Sequence, residues 1–253
     1  MFLFNIYMEK DNKIAGIYPV LEALKSNAAI QKITIQVNKH TWAINEVKDL
    51  ANKQNIKLQF LPGEAFKKFK DLNHQGIIAY LSPVELISID KLIENDMDRE
   101  ELSYIILDGV TDVRNLGAII RSAESMGFNA VILPENNSAT VNDTTVKTSA
   151  GAIYNINLCK VKHIADALMY LQGEGFESIA ISEKADKKIY EHYFSKKTVL
   201  ILGDEEKGVS KKVLGSCHSS LYIPLTGKTS SLNVSVASGI AMYEKAKQLA
   251  AVT

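Results

Sequence analysis

The 253-residue chain is poor in the residues that mark disulfide-rich, metal-binding or membrane-spanning proteins. It has two cysteines, Cys159 and Cys217, and five histidines, and none of these lie at spacings typical of a metal site. We therefore expect neither a disulfide nor a bound metal. The apolar opening MFLFNIYM and every later apolar run fall short of the roughly 18 residues that a membrane span requires. We expect a cytoplasmic protein with no membrane partner.

An excess of charge of either sign is also absent, since 29 basic and 29 acidic residues give a formal net charge of zero. This excludes a chain that binds nucleic acid through bulk positive charge alone. The charges are unevenly distributed, however, because residues 1–84 carry 11 lysines against 7 acidic residues. A weakly basic first third is compatible with contact to RNA.

Arginine is scarce, and its placement is therefore informative. Only Arg99, Arg114 and Arg121 occur, and two of the three lie in one segment, Leu107 to Gly127. A guanidinium is planar and permanently charged, and its fork of donors suits bidentate contact with phosphate or carboxylate. Two surface arginines on a helix are the ordinary alternative.

The pattern around these arginines favours a functional segment. It predicts a strand, a polar turn, a helix and a second strand, at 103–107, 108–115, 116–126 and 130–133. This order implies a parallel sheet joined by a crossover helix. Ligands of such sheets bind at the carboxyl ends of the strands, and the turn that contains Arg114 and Asn115 lies there.

Periodicity divides the chain into two α/β domains. The first covers 13–84, a linker with one short helix covers 85–101, and the second domain covers 102–253. In the first domain we predict helices at 18–26, 42–54 and 63–71 and strands at 32–37, 57–61 and 76–81. In the second we predict strands at 103–107, 130–133, 156–161, 177–182, 198–203 and 219–223 and a final helix at 233–250.

Two further segments, 198–210 and 221–242, combine a strand with a loop rich in small residues. Gly227-Lys228-Thr229 resembles the end of a phosphate-binding P-loop, but Tyr222 stands where that motif needs a glycine. No G-x-G-x-x-G follows a strand, so an ordinary dinucleotide site is not expected.

Together, the three segments resemble the motifs of the SpoU/TrmH branch of the SPOUT methyltransferases. The motifs read NLGAIIRSA at 115–123, GDEEKGVS at 203–210 and IPLTGKTSSLNVSVA at 223–237. The stretches KTSAGA, AGIYPVLEAL and HQGIIAYL extend the resemblance over nearly the whole chain. Asp204 and Tyr154 depart from the commoner residues of the family. Members use S-adenosylmethionine to methylate the ribose 2′-hydroxyl of RNA.

The resemblance implies a fold and a set of site residues. The second domain would be an α/β trefoil knot, and the first a small RNA-binding domain similar to a ribosomal protein. The implied cofactor-binding residues are Leu202, Gly203, Gly208, Ile223, Leu225, Ser231 and Leu232. The implied catalytic residues are Arg121, Asn115, Glu205, Ser231 and Asn233. The layout is most similar to enzymes that methylate a guanosine of large-subunit ribosomal RNA as homodimers joined through the last helix.

Several of these residues also have ordinary structural interpretations. Glu205 alone would be a solvated carboxylate in an acidic run, and Ser231 would be the N-cap of the last helix. In the first domain, Tyr7, Tyr18, Trp42 and Phe69 are candidates to stack bases but are more often core residues. Lys67, Lys68 and Lys70 are candidates for phosphate contact or a solvated helix face.

Three alternatives stay open at the level of sequence. A tRNA ribose methyltransferase of the same family, or a resistance-type enzyme acting on another ribosomal RNA loop, would share every catalytic residue. A non-catalytic RNA-binding paralogue would keep the fold without the chemistry, although the intact motif residues argue against it.

Overall fold

The computed structural model describes residues 13–25, 28–204, 206–229 and 231–250, which divide into two compact units after Val84. The first unit is a four-stranded sheet in the order β1-β4-β2-β3. Its strands are β1 (Lys13–Ala15), β2 (Ile30–Gln36), β3 (Lys57–Leu61) and β4 (Ile77–Leu81). Its helices are α1 (Ile17–Lys25) and α2 (Trp42–Lys53), and a 3₁₀ helix spans Gly63–Phe69.

Side-chain alternation along the strands gives this sheet two different faces. One face packs against the apolar sides of α1 and α2, with Ile33 and Ile77 fully buried. The 3₁₀ helix covers part of the other face by placing Phe66 and Phe69 on Ile78. The helices and strands that we predicted for this unit are confirmed to within two residues, and three-residue β1 was missed.

The aromatic candidates of the first unit separate by exposure. Tyr18 is 59% exposed and Trp42 is 67% exposed, so the core interpretation is wrong for both. Phe69 is buried as a core residue. Tyr7 lies outside the described residues.

The second unit is an eight-stranded sheet in which every neighbouring pair is parallel. Its order is β10-β12-β9-β11-β6-β7-β8-β5. The strands are β5 (Leu86–Ile87), β6 (Leu102–Asp108), β7 (Ala130–Pro134), β8 (Asn157–Val161), β9 (Glu177–Ile181), β10 (Lys187–Lys188), β11 (Lys197–Gly203) and β12 (Ser219–Tyr222). The helices are α3 (Ile89–Asp96), α4 (Val113–Ser125), α5 (Asp143–Thr148), α6 (Ile164–Gly173), α7 (Lys211–Leu214) and α8 (Val234–Ala250). The predicted α/β class and parallel sheet are confirmed.

Residues 85–101, predicted to form a linker, instead contribute structure to the second unit. β5 pairs with β8 at the edge of the sheet, and Leu92 of α3 is fully buried in the core. Asp96 is 3% exposed and accepts a hydrogen bond from the Tyr104 hydroxyl at 2.8 Å. The segment carries five acidic residues between positions 94 and 101, yet the carboxylate of Asp96 is internal and paired.

Both cysteines are free and shielded in the second unit. Cys159 lies in β8 within the core, and burial raises the pKa of its thiol to about 12. Burial likewise raises the pKa of the Cys217 thiol to about 11. Among the residues that the structure describes, no cluster of His, Cys, Asp and Glu is arranged to hold a metal ion. No helix in these same ranges is long and apolar enough to cross a bilayer.

Candidate active site

The carboxyl ends of four adjacent strands, β12, β9, β11 and β6, border one cavity of about 630 Å³. This volume lies within the roughly 300–1,000 Å³ that is usual for small-molecule sites. All seven residues predicted to bind the cofactor line it: Leu202, Gly203, Gly208, Ile223, Leu225, Ser231 and Leu232. Two loops that are separate in sequence, 202–208 and 223–232, therefore meet at one place, where a parallel sheet is expected to bind its ligand.

Gly203 ends β11 at a point where no side chain fits. A Cβ atom built there would lie 2.0 Å from the carbonyl carbon of Gly208 and 2.1 Å from the backbone nitrogen of Val209. The loop folds back over the strand end, and Gly208 completes the reversal with a φ of +68°. The glycines of the second motif are thus explained by close approach of backbone to backbone.

Asp204 stabilises the same loop through its side chain. Its Oδ1 accepts hydrogen bonds from the backbone N–H of Glu206 at 2.9 Å and of Lys207 at 3.0 Å. Asn or Ser, which are commoner here, can accept in the same way, so this departure from the family pattern preserves the turn. Glu205 lies outside the described residues.

Asp108 is a site residue that the sequence reasoning missed. It ends β6 and lines the cavity, and its Oδ2 accepts a hydrogen bond from the backbone N–H of Ser210 at 2.8 Å. This bond ties the end of the 203–210 loop to the neighbouring strand. The signal was available, because Asp108 directly follows a predicted buried strand. The cavity wall at Ile181 to Lys184 was missed although it too follows a predicted strand.

Helix α4 begins three residues earlier than predicted. Asp112 is its N-cap, accepting hydrogen bonds from the backbone N–H of Arg114 and Asn115, both at 2.8 Å. Arg114 and Asn115 therefore lie in the first helical turn and not in a loop. Arg114 and Arg121 are seven residues apart, about two turns, and share one exposed face. Arg121 makes no salt bridge with any described residue.

Gly117 allows α4 to approach α5 closely. A Cβ atom at this position would lie 2.6 Å from the Cβ of Thr148 and 2.8 Å from the carbonyl oxygen of Thr145. The KTSAGA stretch starts within α5, so this contact joins it to the first motif. The glycine of that motif is thus a packing residue that fixes the position of α4.

Two predicted catalytic residues, Asn115 and Asn233, are joined directly. The Asn233 Nδ2 donates to the Asn115 Oδ1 at 3.1 Å, across 118 positions of sequence. Asn233 precedes the first residue of α8, and its Oδ1 accepts from the backbone N–H of Ser235 at 3.0 Å and from the Ser235 hydroxyl. Because a carbonyl oxygen must face these donors, the NH₂ group of Asn233 must face Asn115.

The interpretation of Ser231 as the helix N-cap is wrong. Helix α8 begins at Val234, so the capping position falls on Asn233. Ser231 is exposed and lines the cavity instead. The structure thus gathers the cavity residues and the Asn115–Asn233 pair around the start of α8. Arg121 is not among the cavity-lining residues and lies on the exposed face of α4.

The cavity combines apolar walls with charges of both signs. Leu202, Ile223 and Val234 contribute apolar surface. The ionisable side chains that line it are Asp108, Glu183, Asp204, Glu206, Lys184, Lys207 and Lys211. Such a lining suits a ligand with an apolar or aromatic part and separate positive and negative groups.

Comparison with known protein families matches both units. Residues 103–243 match the SpoU rRNA methylase family, and residues 13–86 match the substrate-binding domain of RNA 2′-O ribose methyltransferases. A Staphylococcus saprophyticus protein, named as a TrmH family tRNA/rRNA methyltransferase, is 33% identical over 232 residues. The alignment covers 91% of this chain and 93% of that protein.

Solved structures share the fold. The SpoU methyltransferase AviRb from Streptomyces viridochromogenes, in complex with its cofactor AdoMet, aligns with a TM-score of 0.68 and 19% identity. The alignment covers 94% of this chain and 90% of AviRb. A TrmH/SpoU tRNA modifying enzyme from A. aeolicus aligns with a TM-score of 0.56 and 28% identity, over 65% of this chain and 83% of that one.

Proposed function

The chain belongs to the SpoU rRNA methylase family of RNA methyltransferases, and we propose that it transfers a methyl group from S-adenosylmethionine to a ribose 2′-hydroxyl of RNA. The proposed target is a guanosine of large-subunit ribosomal RNA, which places the enzyme in the cytoplasm. The observation that carries the proposal is the cavity at the strand ends, which is lined by all seven residues predicted to bind the cofactor. Asn233, paired with Asn115, lies between the lining residues Leu232 and Val234.

The cavity fits S-adenosylmethionine in size and chemistry. This molecule carries an adenine, a sulfonium, an ammonium and a carboxylate, which match apolar walls and charges of both signs. Leu202, Ile223, Leu225 and Leu232 would hold the adenine, and the glycines at 203 and 208 expose backbone groups to it. Bound S-adenosylmethionine supplies an electrophilic methyl group.

The side chains outside the cavity act on the RNA. A guanidinium stays protonated, so Arg121 does not serve as the base. It binds a phosphate of the RNA and stabilises negative charge that develops on the 2′-oxygen. Asn115, oriented by Asn233, positions the ribose. Ser231, which lines the cavity, contacts the nucleotide at the cavity wall. Glu205 is proposed to position the loop or the arginine.

Methyl transfer with labelled S-adenosylmethionine tests this proposal. Unmodified large-subunit ribosomal RNA and bulk tRNA are offered separately, with Arg121→Ala and Arg99→Ala compared against the unaltered chain. Arg99→Ala is the matched control, because it removes the same group beside Asp96, far from the motifs in sequence. We expect label on ribosomal RNA. The RNA should resist alkaline cleavage at the modified ribose, and the label should be lost only in Arg121→Ala.

The other outcomes are equally informative. Label on tRNA alone would keep the chemistry and replace the substrate, in line with relatives that are named for both RNAs. Label on a base would contradict the ribose assignment. S-adenosylmethionine binding without transfer to either RNA, together with RNA binding, would favour the non-catalytic alternative.

We also propose that the protein is a dimer joined through α8, and that the second unit carries a trefoil knot. Val236, Ile240 and Tyr243 recur at helical spacing and are 50%, 38% and 56% exposed, which leaves an apolar stripe on α8. Light scattering on the unaltered chain and on Ile240→Lys tests the dimer. A monomeric mass for the unaltered chain would contradict it.

A further inference from the structure

The sheet of the first unit carries a line of basic and aromatic side chains across all four strands. The register places Lys13 of β1 beside Tyr80 of β4, Tyr80 beside Lys32 of β2, and Lys32 beside Lys57 of β3. Paired residues of neighbouring strands point to the same face, so the four side chains form one line about 14 Å long. We call Lys13, Tyr80, Lys32 and Lys57 the lysine row.

The lysine row lies on the face that α1 and α2 leave uncovered. The next residue along each strand packs in the core with these helices: Ile14, Ala79, Ile33 and Leu58. Side-chain alternation along each strand therefore places the lysine row on the opposite face of the sheet. The 3₁₀ helix covers the adjoining part of that face through Phe66 and Phe69, and Tyr80 packs partly against this cluster. The row itself stays accessible, with Lys57 exposed and the other three members half-buried.

Ammonium groups gather around two aromatic rings at this place. The Lys32 Nζ lies 4.5 Å from the centroid of the Tyr80 ring, and the Lys13 Nζ lies 5.9 Å from it. Lys68 adds a further amino group 5.0 Å from the centroid of Phe69. Basic side chains that converge on an aromatic surface form a site for a polyanion that also offers flat rings.

Two lysines of the row, Lys32 and Lys57, face no carboxylate partner among the described residues. An ion pair of this unit, between Lys25 and Glu46, joins α1 to α2 on the other side of the sheet. The positive charges of Lys32 and Lys57 are therefore available to an external partner.

We propose that the lysine row binds a single-stranded segment of the substrate RNA, with lysines on successive phosphates and one base stacked on Tyr80. The inference rests on the proposed function, because it names the surface that holds the RNA to be methylated. A single strand fits better than a duplex, since only an unstacked base can lie on a ring. The flexible Lys32 stem lets a base displace its ammonium from Tyr80.

Binding of a labelled, unstructured RNA of about 12 nucleotides to the full chain, followed by fluorescence anisotropy, tests the row. For Lys32→Gln with Lys57→Gln we expect about 25-fold weaker binding at about 0.1 M salt, roughly fivefold for each lost phosphate contact. The slope of log affinity against log salt should become shallower by about 1.4. Tyr80→Leu should weaken binding about tenfold without changing the slope, and Tyr80→Phe should restore it.

The matched control is Lys48→Gln with Lys53→Gln, the same change of charge on α2. It should bind RNA within about twofold of the unaltered chain if the row is the site. All variants should bind S-adenosylmethionine equally, which verifies that the second unit is intact.

If the row variants bind RNA with the same affinity as the α2 control, the inference is overturned, and the lysine row would serve a different acidic partner. The same conclusion follows if Trp42→Ala loses binding while the row variants do not. If the unaltered chain methylates RNA but the row variants bind RNA normally, only this inference fails. If RNA binds through the row but no methyl group is transferred, the proposed function fails and the row remains an RNA site.

Discussion

At the scale of single residues, Asn233 uses the two ends of one amide for different purposes. Its carbonyl caps α8 through Ser235, and its NH₂ group holds Asn115. An N-cap alone would be satisfied by Ser, Asp or Asn. Only an amide combines the capping acceptor with a donor aimed at α4, which explains why this residue type stands here.

Asn233→Asp separates the two purposes. Aspartate caps a helix as well as asparagine, so the free energy of unfolding should change by less than about 0.5 kcal/mol. The donor to Asn115 is lost, so the Asn115 amide should turn over and methyl transfer should fall about 10- to 100-fold. Urea denaturation and single-turnover transfer measure the two effects. An unchanged rate of methyl transfer would show that the reaction does not need Asn233 to orient Asn115.

Gly203→Ala tests the close approach in the 203–210 loop. The new methyl group would stand 2.0 Å from the backbone of Gly208, so the loop must move. We expect a loss of stability of about 3 kcal/mol and no measurable binding of S-adenosylmethionine by calorimetry. Gly173→Ala is the control, because no atom lies within 4 Å of its added Cβ and it sits in α6. Equal behaviour of both variants would contradict the tight turn.

At the scale of elements, α8 connects the site to the far end of the sheet. Its first turn adjoins the cavity, and its last turns are hydrogen-bonded to the segment that precedes β11. Gln248 donates to the carbonyl oxygen of His192 at 2.8 Å and accepts from the backbone N–H of Phe194 at 3.1 Å. Lys245, 1% exposed, donates to the carbonyl oxygen of Ser195 at 2.8 Å.

Lys245→Ala should loosen this attachment. Burial lowers the pKa of Lys245 while Glu101 and Glu177 raise it, so the ammonium is held against a desolvation cost. Its removal takes one of two donors from the Ser195 carbonyl, which keeps the hydrogen bond from the Thr198 hydroxyl at 2.7 Å. Loss of this charged hydrogen bond should cost about 2 kcal/mol in thermal or urea unfolding. Lys247→Ala removes only a surface pair with Glu244 and should cost less than about 0.5 kcal/mol. Similar losses of stability for Lys245→Ala and Lys247→Ala would contradict a role of Lys245 in holding α8 to this segment.

The elements differ in how far the sequence could predict them. Six strands of the second unit span four or more residues and were all predicted, and the clearest of them, β6, β7 and β11, contain continuous apolar runs between polar turns. β1, β5 and β10 span two or three residues, too few to show any period. The start of α4 was misplaced because its first turn is polar and exposed on one side. The contact of Asn115 with Asn233 leaves no local signal, so only the family resemblance placed both residues in one site.

At the scale of the whole molecule, the two units differ in net charge as well as in structure. Each unit has its own core, with Ile33 central to one and Ile106 to the other. Residues 1–84 carry a surplus of four positive charges, and residues 85–253 carry 18 basic and 22 acidic residues. The unit with the cavity is thus unsuited to hold a polyanion by bulk charge.

A fragment of residues 85–253 should therefore keep the cofactor and lose the RNA. We expect S-adenosylmethionine binding within about threefold of the full chain, because every cavity residue is retained. The KM for RNA should rise at least about tenfold, since the basic unit is absent. Calorimetry and steady-state transfer measure the two quantities. A fragment with an unchanged KM would assign RNA recognition to the second unit.

The placement of the two cysteines has a practical consequence for following motion. Both thiols lie in the second unit, where Cys159 is buried and Cys217 is partly buried, and burial raises the pKa of each thiol so that both are protonated at neutral pH. A thiol reagent can therefore reach the Cys159 thiol only when this unit opens. The rate at which Cys159 is labelled reports this opening, and residues 1–84 contain no cysteine that would add to the signal. A decrease of that rate on addition of S-adenosylmethionine would give the coupling between ligand and opening without any engineered probe.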